Sequence, residues 1–215
     1  MIVGIPGWVL GSNYFGVPIS YVDFIKEYLE CDDLRILTPT TPIQKDLNLI
    51  ILPGGADINP SRYGEPPGFY TDKPDLLKEY FDVHILPQYI SVGTPIFGIC
   101  RGMQTLAVHF GCKLIQDMHH DTNKQDNPYQ GVHELLIFDK TKKIEVNSRH
   151  HQSVQRPHES HIVKVYATHK KIPQHIEAIR VQGYKVAGVQ FHPEDLEEMS
   201  GVQYALGLIN SITKT

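Results

Sequence analysis

Cysteine is scarce in these 215 residues, with only Cys31, Cys100 and Cys112 present. An odd count without framework spacing excludes a disulfide scaffold and points to reduced thiols, so the cytoplasm is the expected compartment. Long hydrophobic runs are lacking too: no stretch approaches the roughly eighteen uninterrupted apolar residues of a membrane span. The opening residues, MIVGIPGWVLGS, have no basic cluster, and Gly4, Pro6 and Gly7 interrupt them, so a first strand is expected there and not a signal peptide. Neither sign of charge dominates. Twenty basic and 24 acidic side chains leave a net charge of -4, which offers no electrostatic surface for nucleic acid or an anionic membrane. Repeats, linkers and low-complexity tracts are absent, and the length suits one domain spanning 1–215 better than two of ordinary size.

What is present is an alternation of short apolar runs and helical patterns. The runs IVGI (2–5), LRILT (34–38), LNLIILP (47–53) and TPIFGIC (94–100) are spaced around helix candidates near 19–30 and 75–91. That order predicts an α/β fold with a central, mostly parallel sheet flanked by helices. The second half reads differently. ELLIF (134–138), KIEV (143–146), HIVKVYAT (161–168), HIEAIRV (175–181) and KVAGVQF (185–191) follow one another without long helices, which predicts added antiparallel strands or hairpins. Leu196, Met199, Val202, Leu206, Ile209 and Ile212 recur at spacings of three and four, as in an amphipathic helix packed on the sheet. Two polar stretches rich in Pro, Asn, Asp and Gly, 57–75 and 119–131, read as long loops.

The chemistry centres on GICRG at 98–102. A strand that ends at Gly98, turns at Cys100 and runs through Gly102 into MQTLAVHF would set a thiol at a helix N-terminus, where backbone amides favour the thiolate. The flanking glycines suit a tight turn with no room for a neighbouring Cβ. A nucleophile needs a base and an orienting partner. GVQFHPE offers both, with His192 at a strand end and Glu194 two residues on. A packing cysteine and a histidine beside a turn are the plainer alternatives for each stretch taken alone.

FGICRGMQ followed by GVQFHPE resembles the Cys-His-Glu triad of the class I glutamine amidotransferase superfamily. LPGGADINPSRYGEPP, LIQDM, VNSRHHQSV and IEAI, in that family's order, are similar to the peptidase C26 group, especially its γ-glutamyl-γ-aminobutyrate hydrolase branch. The resemblance implies a flavodoxin-like domain that hydrolyses γ-glutamyl amides without a cofactor or metal. It casts Cys100 as nucleophile, His192 as base and acid, and Glu194 as the orienter. The oxyanion donors would be the backbone N–H groups of Arg101 and Gly55, with Gly54 allowing the turn. Gly54, Gln104, Ser148, His150, His151 and Gln152 are the substrate-binding candidates.

Some positions depart from the family pattern. The chain is shorter before LPGGAD, Cys112 stands where a second glycine is common, and Lys78-Glu79 replaces an Arg-Asp pair; these spare the chemistry and bear on the outer pocket. His119, His120, Asp121 and His133 show no regular ligand interval. Cys31 and Cys112 read as buried packing thiols. The expected partner is a small γ-glutamyl substrate, with a synthetase or a second copy of the chain left open as protein partners. Two other functions stay open: a glutaminase subunit feeding ammonia to a synthetase, and a non-catalytic binding protein on the same fold.

Overall fold

The computed structural model describes residues 1–10, 14–118, 131–137 and 143–214. The expected loop at 119–131, with His119, His120 and Asp121, falls almost wholly outside them.

The opening run forms β1 (Ile2–Pro6) and then a small hairpin, β2 (Trp8–Leu10) and β3 (Tyr14–Gly16), where a single strand was expected. Helix α1 (Ile19–Tyr28) and the strands β4 (Asp33–Leu37) and β5 (Leu49–Leu52) follow. The stretch at 57–75 is not all loop: a 3₁₀ turn occupies Pro60–Tyr63, capped by Asn59. The helical pattern at 75–91 divides into α2 (Leu76–Tyr80), a π turn (Phe81–Ile85) and α3 (Leu86–Ser91). Next come β6 (Ile96–Ile99), α4 (Arg101–His109) and β7 (Leu114–Ile115). The second half supplies β8 (Gly131–Ile137), β9 (Glu145–Ser148), β10 (Ser153–Val154), β11 (Val163–His169), β12 (Ile176–Val181) and β13 (Val186–Val189). A 3₁₀ turn (Pro193–Asp195) and α5 (Met199–Thr213) close the described chain.

Nine strands form one mixed sheet in the order β4-β1-β5-β6-β13-β12-β11-β8-β9. The five from β4 to β13 run parallel, and the remaining pairings are antiparallel. Thus β13, although it lies in the second half, completes the parallel part by pairing with β6. β5, β6 and β13 are buried on both faces, as central parallel strands are.

Alternation along these strands divides the core. Leu49, Ile51, Phe97, Ile99, Ala187 and Val189 pack with Tyr21, Phe24 and Ile25 of α1 and Val202, Ala205 and Ile209 of α5. Ile50, Leu52, Ile96 and Val186 point the other way, toward Phe81, Leu86 and Tyr89 and toward Met103, Leu106 and Ala107 of α4. The sheet is therefore sandwiched between helices. Cys112 is buried as expected, and burial pushes its thiol up to about 11. Cys31 is only half-buried, because it follows α1 at the rim, where its Sγ donates to the Asp33 carbonyl. None of the described helices is long and apolar enough to cross a membrane.

Candidate active site

The carboxyl ends of β5, β6 and β13 converge, the usual place for a ligand crevice in such a sheet. β5 leads into Gly54-Gly55, β6 into Cys100, and β13 into Gln190 and His192.

Cys100 has φ +52° and ψ -113°, and no other described non-glycine residue has a positive φ. Its N–H donates to the Val189 carbonyl at 2.8 Å, and it leads directly into α4. Steric contact explains the glycines around it. A Cβ on Gly98 would lie 2.5 Å from the Gly102 carbonyl carbon, and one on Gly102 would lie 2.1 Å from the Leu52 carbonyl oxygen. On the neighbouring strand, a Cβ on Gly188 would meet the Gly98 oxygen at 2.7 Å. Strand, elbow and helix touch backbone to backbone, so a side chain at any of these positions would push the elbow apart.

His192 is held at three points. Asn147 accepts from its N–H at 2.8 Å and donates to its carbonyl at 2.9 Å, while Nδ1 meets Glu194 Oε1 at 2.7 Å. Burial alone would lower the imidazole pKa, but Cys100 on one side and Glu194 on the other outweigh it and push it up to about 10. A hydrogen bond at Nδ1 leaves Nε2 for the thiol side of the ring. Gly54 completes the enclosure: a Cβ there would come within 3.1 Å of His192 Cε1 and 3.6 Å of Cys100 Cβ.

The remaining candidates fall into two groups. Arg101, 3% exposed, turns its guanidinium away into a buried network, 2.9 Å from Glu79 and 2.7 Å from Asp82. Arg62 and Thr105 also contact Asp82. The Arg101 backbone stays at the start of α4, where first-turn N–H groups have no intrahelical partner. Gln104 donates to the Gln152 carbonyl at 3.2 Å and to Gln190 Oε1 at 3.1 Å, so its amide is engaged within the protein. Gln190 in turn donates to Cys100 Sγ at 3.5 Å.

The residues of SRHHQ separate in space. Ser148 is buried at the end of β9. His151 leans outward to Asp57, at 3.1 Å. His150 and Gln152 turn inward: His150 Nδ1 donates to the Gln152 carbonyl at 2.8 Å, and burial pulls its pKa down to about 4. They adjoin a layer the sequence reading did not foresee, made by His133, His169 and Glu177 from β8, β11 and β12. Glu177, 1% exposed, lies 3.1 Å from His133 Nε2, and His133 stacks on His169 with centroids 4.4 Å apart. Burial would raise the Glu177 carboxyl, but the His133 contact holds it below the ordinary value. Among the described residues, Glu177 Oε2, His150 Nε2 and both amide atoms of Gln152 have no hydrogen-bond partner.

Sequence reading also missed Lys78, Tyr21, Asn147 and Gln190. Lys78 and Glu79, taken as a departure bearing on the outer pocket, lie at the site itself: Glu79 holds Arg101, and Lys78 Nζ donates to the Gly54 carbonyl at 2.6 Å. Burial, then the Arg101 cation, hold the Lys78 pKa well below that of an ordinary lysine. Tyr21 accepts from the Gly54 N–H at 2.9 Å, and burial followed by the Glu194 charge keeps its phenol protonated. Gln190 and Asn147 stood in quoted motifs, GVQFHPE and VNSRHHQSV, and that was the available signal.

Two clusters of described residues bring three potential metal ligands within 4.8 Å of one another: Asp57, Asp72 and His151, and His192, Glu194 and Asp195. In the first, His151 already bonds Asp57. In the second, His192 bonds Glu194, and Asp195 is taken by Arg149.

Comparison with known proteins identifies the family and the fold. The family model described as Peptidase C26 matches residues 38–194. The glutamine amidotransferase-like protein YvdE of Lactococcus lactis subsp. lactis is 28% identical over 198 residues, covering 86% of this chain and 75% of its own. A glutamine-hydrolysing GMP synthase subunit of Thermococcus kodakarensis is 27% identical, with 67% of this chain and 74% of its own covered. Among solved structures, a GMP synthase subunit from Thermoplasma acidophilum superposes with a TM-score of 0.65 at 17% identity, covering all of this chain and 96% of that one.

Proposed function

The chain belongs to the peptidase C26 family, within the class I glutamine amidotransferase-like superfamily, and on that premise we propose that it hydrolyses γ-glutamyl amides through a thioester on Cys100. The observation that carries this reading is His192, pinned by Asn147 and Glu194 beside a strained, glycine-flanked Cys100.

In the proposed sequence, the Cys100 thiolate attacks the γ-carbonyl carbon and the carbonyl electron pair moves onto oxygen. The N–H groups of Gly55 and Arg101 hold that oxyanion. His192, protonated and oriented by Glu194, passes its proton to the departing nitrogen as the C–N bond breaks. An amine leaves and a γ-glutamyl thioester remains. Neutral His192 then takes a proton from water, the hydroxide adds to the thioester, and glutamate is released as the thiolate re-forms. The raised pKa of His192 suits it to hold the proton that the departing amine needs. The Gln104, Gln152 and His150 group would lie against the glutamyl moiety, with Gln104 and Gln190 linking it to the thiol.

A second reading is favoured by the GMP synthase relative: a glutaminase that supplies ammonia to a separate synthetase. The two differ in what the isolated chain does. Purified protein, incubated alone with γ-glutamyl-γ-aminobutyrate, γ-glutamyl dipeptides and glutamine, should release glutamate from a substituted amide faster than from glutamine. Cys100→Ala should lower that rate by at least about 10⁴-fold, as loss of a nucleophile does. Turnover of glutamine alone, appearing only with an added synthetase, would favour the second reading.

A further inference from the structure

Gly54 is gripped from both sides. Its N–H donates to the Tyr21 hydroxyl, and its carbonyl accepts from Lys78, a residue from the first turn of α2. That turn is itself fixed, because the Asp75 carboxylate accepts from the N–H groups of Leu77 and Lys78. Trp8 backs both grips, lying 3.6 Å under Lys78 Nζ and edge-on to Tyr21 at 6.3 Å. The lysine stem packs on the next residue as well. Gly55 has φ +150°, and a Cβ there would lie 2.6 Å from Lys78 Cε.

In a trans peptide, the carbonyl of one residue and the N–H of the next point in opposite directions. A Gly54 carbonyl held on Lys78 therefore turns the Gly55 N–H to the far side of the loop, away from the lysine. Two successive glycines have wide conformational freedom, so little in the loop itself would hold that orientation. The other donor, at Arg101, is fixed differently, by a helix start and a buried ion network. A lysine 5% exposed is costly to bury and fills a position where an apolar side chain would pack more easily.

We propose that Lys78 is a positioning residue that locks the Gly54–Gly55 peptide so that the Gly55 N–H faces the developing oxyanion. This rests on the reading of Gly55 as an oxyanion donor. Lys78 touches no reacting atom in this role. It acts through the peptide it holds.

Lys78→Met keeps the stem and removes the donor, whereas Lys78→Arg keeps donors. Each full chain would be assayed for turnover of a chromogenic γ-glutamyl anilide and for alkylation of Cys100 by iodoacetamide, which displaces iodide at a saturated carbon and builds no oxyanion. Lys78→Met should lower kcat about 100-fold with little change in KM, as loss of an oxyanion donor does. It should leave alkylation at the parental rate, and Lys78→Arg should recover most of the turnover. Far-UV circular dichroism and the thermal unfolding midpoint check that each variant remains folded. A parental kcat in Lys78→Met would overturn the proposal. So would alkylation that falls as far as kcat, since Lys78 would then be a general support of the site. A parent that is alkylated at Cys100 yet hydrolyses no γ-glutamyl amide would instead contradict the substrate reading. Crystal structures of parent and Lys78→Met would then decide the positioning role: a turned Gly54–Gly55 peptide supports it, and an unchanged one overturns it.

Discussion

The elbow around Cys100 and the histidine layer on β8, β11 and β12 belong to the same sheet and are built on opposite plans. At the elbow, backbone packs on backbone: Gly98, Gly102 and Gly188 leave no room for a Cβ. In the layer, long side chains fill the space, and several of their polar atoms have no partner among the described residues. The elbow's precision is therefore steric and insensitive to pH. The layer's precision is electrostatic, with His150 and His169 both brought down to about 4 by burial, countered in part by Glu177. His192 stands where the two meet, and its pKa moves the opposite way because Cys100 and Glu194 flank it and outweigh its burial.

That contrast can be broken most severely at the elbow. Gly102→Ala would drive a methyl group into the Leu52 carbonyl, and the account expects a loss upwards of about 3 kcal/mol, since overpacking against backbone cannot be relieved by a rotamer change. Urea unfolding measures it, and a stability near the parental value would show that the elbow has slack.

The layer should instead respond to acid. The unfolded chain protonates His150 as pH falls through 6.5, while the folded chain resists until about 4. Stability is therefore unaffected above the unfolded pKa and is lost across that window, by up to about 3 kcal/mol for one such group. His150→Asn should flatten this dependence, and unfolding midpoints taken from pH 7 to pH 4 would read it; an unchanged slope would remove His150 from the explanation. The smallest effect should come from Cys112, a buried thiol just past the far end of α4 from the elbow. Cys112→Ala should cost about 1 kcal/mol through a small cavity and leave the alkylation rate of Cys100 unchanged.

The same contrast explains what could be read without a structure. Short continuous apolar runs marked the central strands, a spacing of three and four marked the closing helix, and GICRG was legible because close backbone contact leaves only glycine as a solution. His192 and Glu194 were legible because they are neighbours in sequence and meet across a proline. The β2–β3 hairpin was missed because its strands are three residues each and Gly7 read as a break. Lys78 was misjudged for a different reason. A lysine in a helical pattern reads as a solvated face, and only the fold reveals that α2 aims it at Gly54, 24 residues away in the chain. Glu177 and its histidines were illegible for the same cause, since β8, β11 and β12 bring them together only through sheet pairing.

The central claim is that Cys100 on its elbow carries the glutamyl group between two half-reactions. Its most direct test is to mix the protein with a chromogenic γ-glutamyl anilide, quench within the first turnover and locate any acyl group by peptide mass analysis. The account predicts a γ-glutamyl adduct on the peptide holding Cys100, decaying as glutamate appears and absent from Cys100→Ala. Glutamate release without such an adduct, or an adduct on another residue, would contradict it.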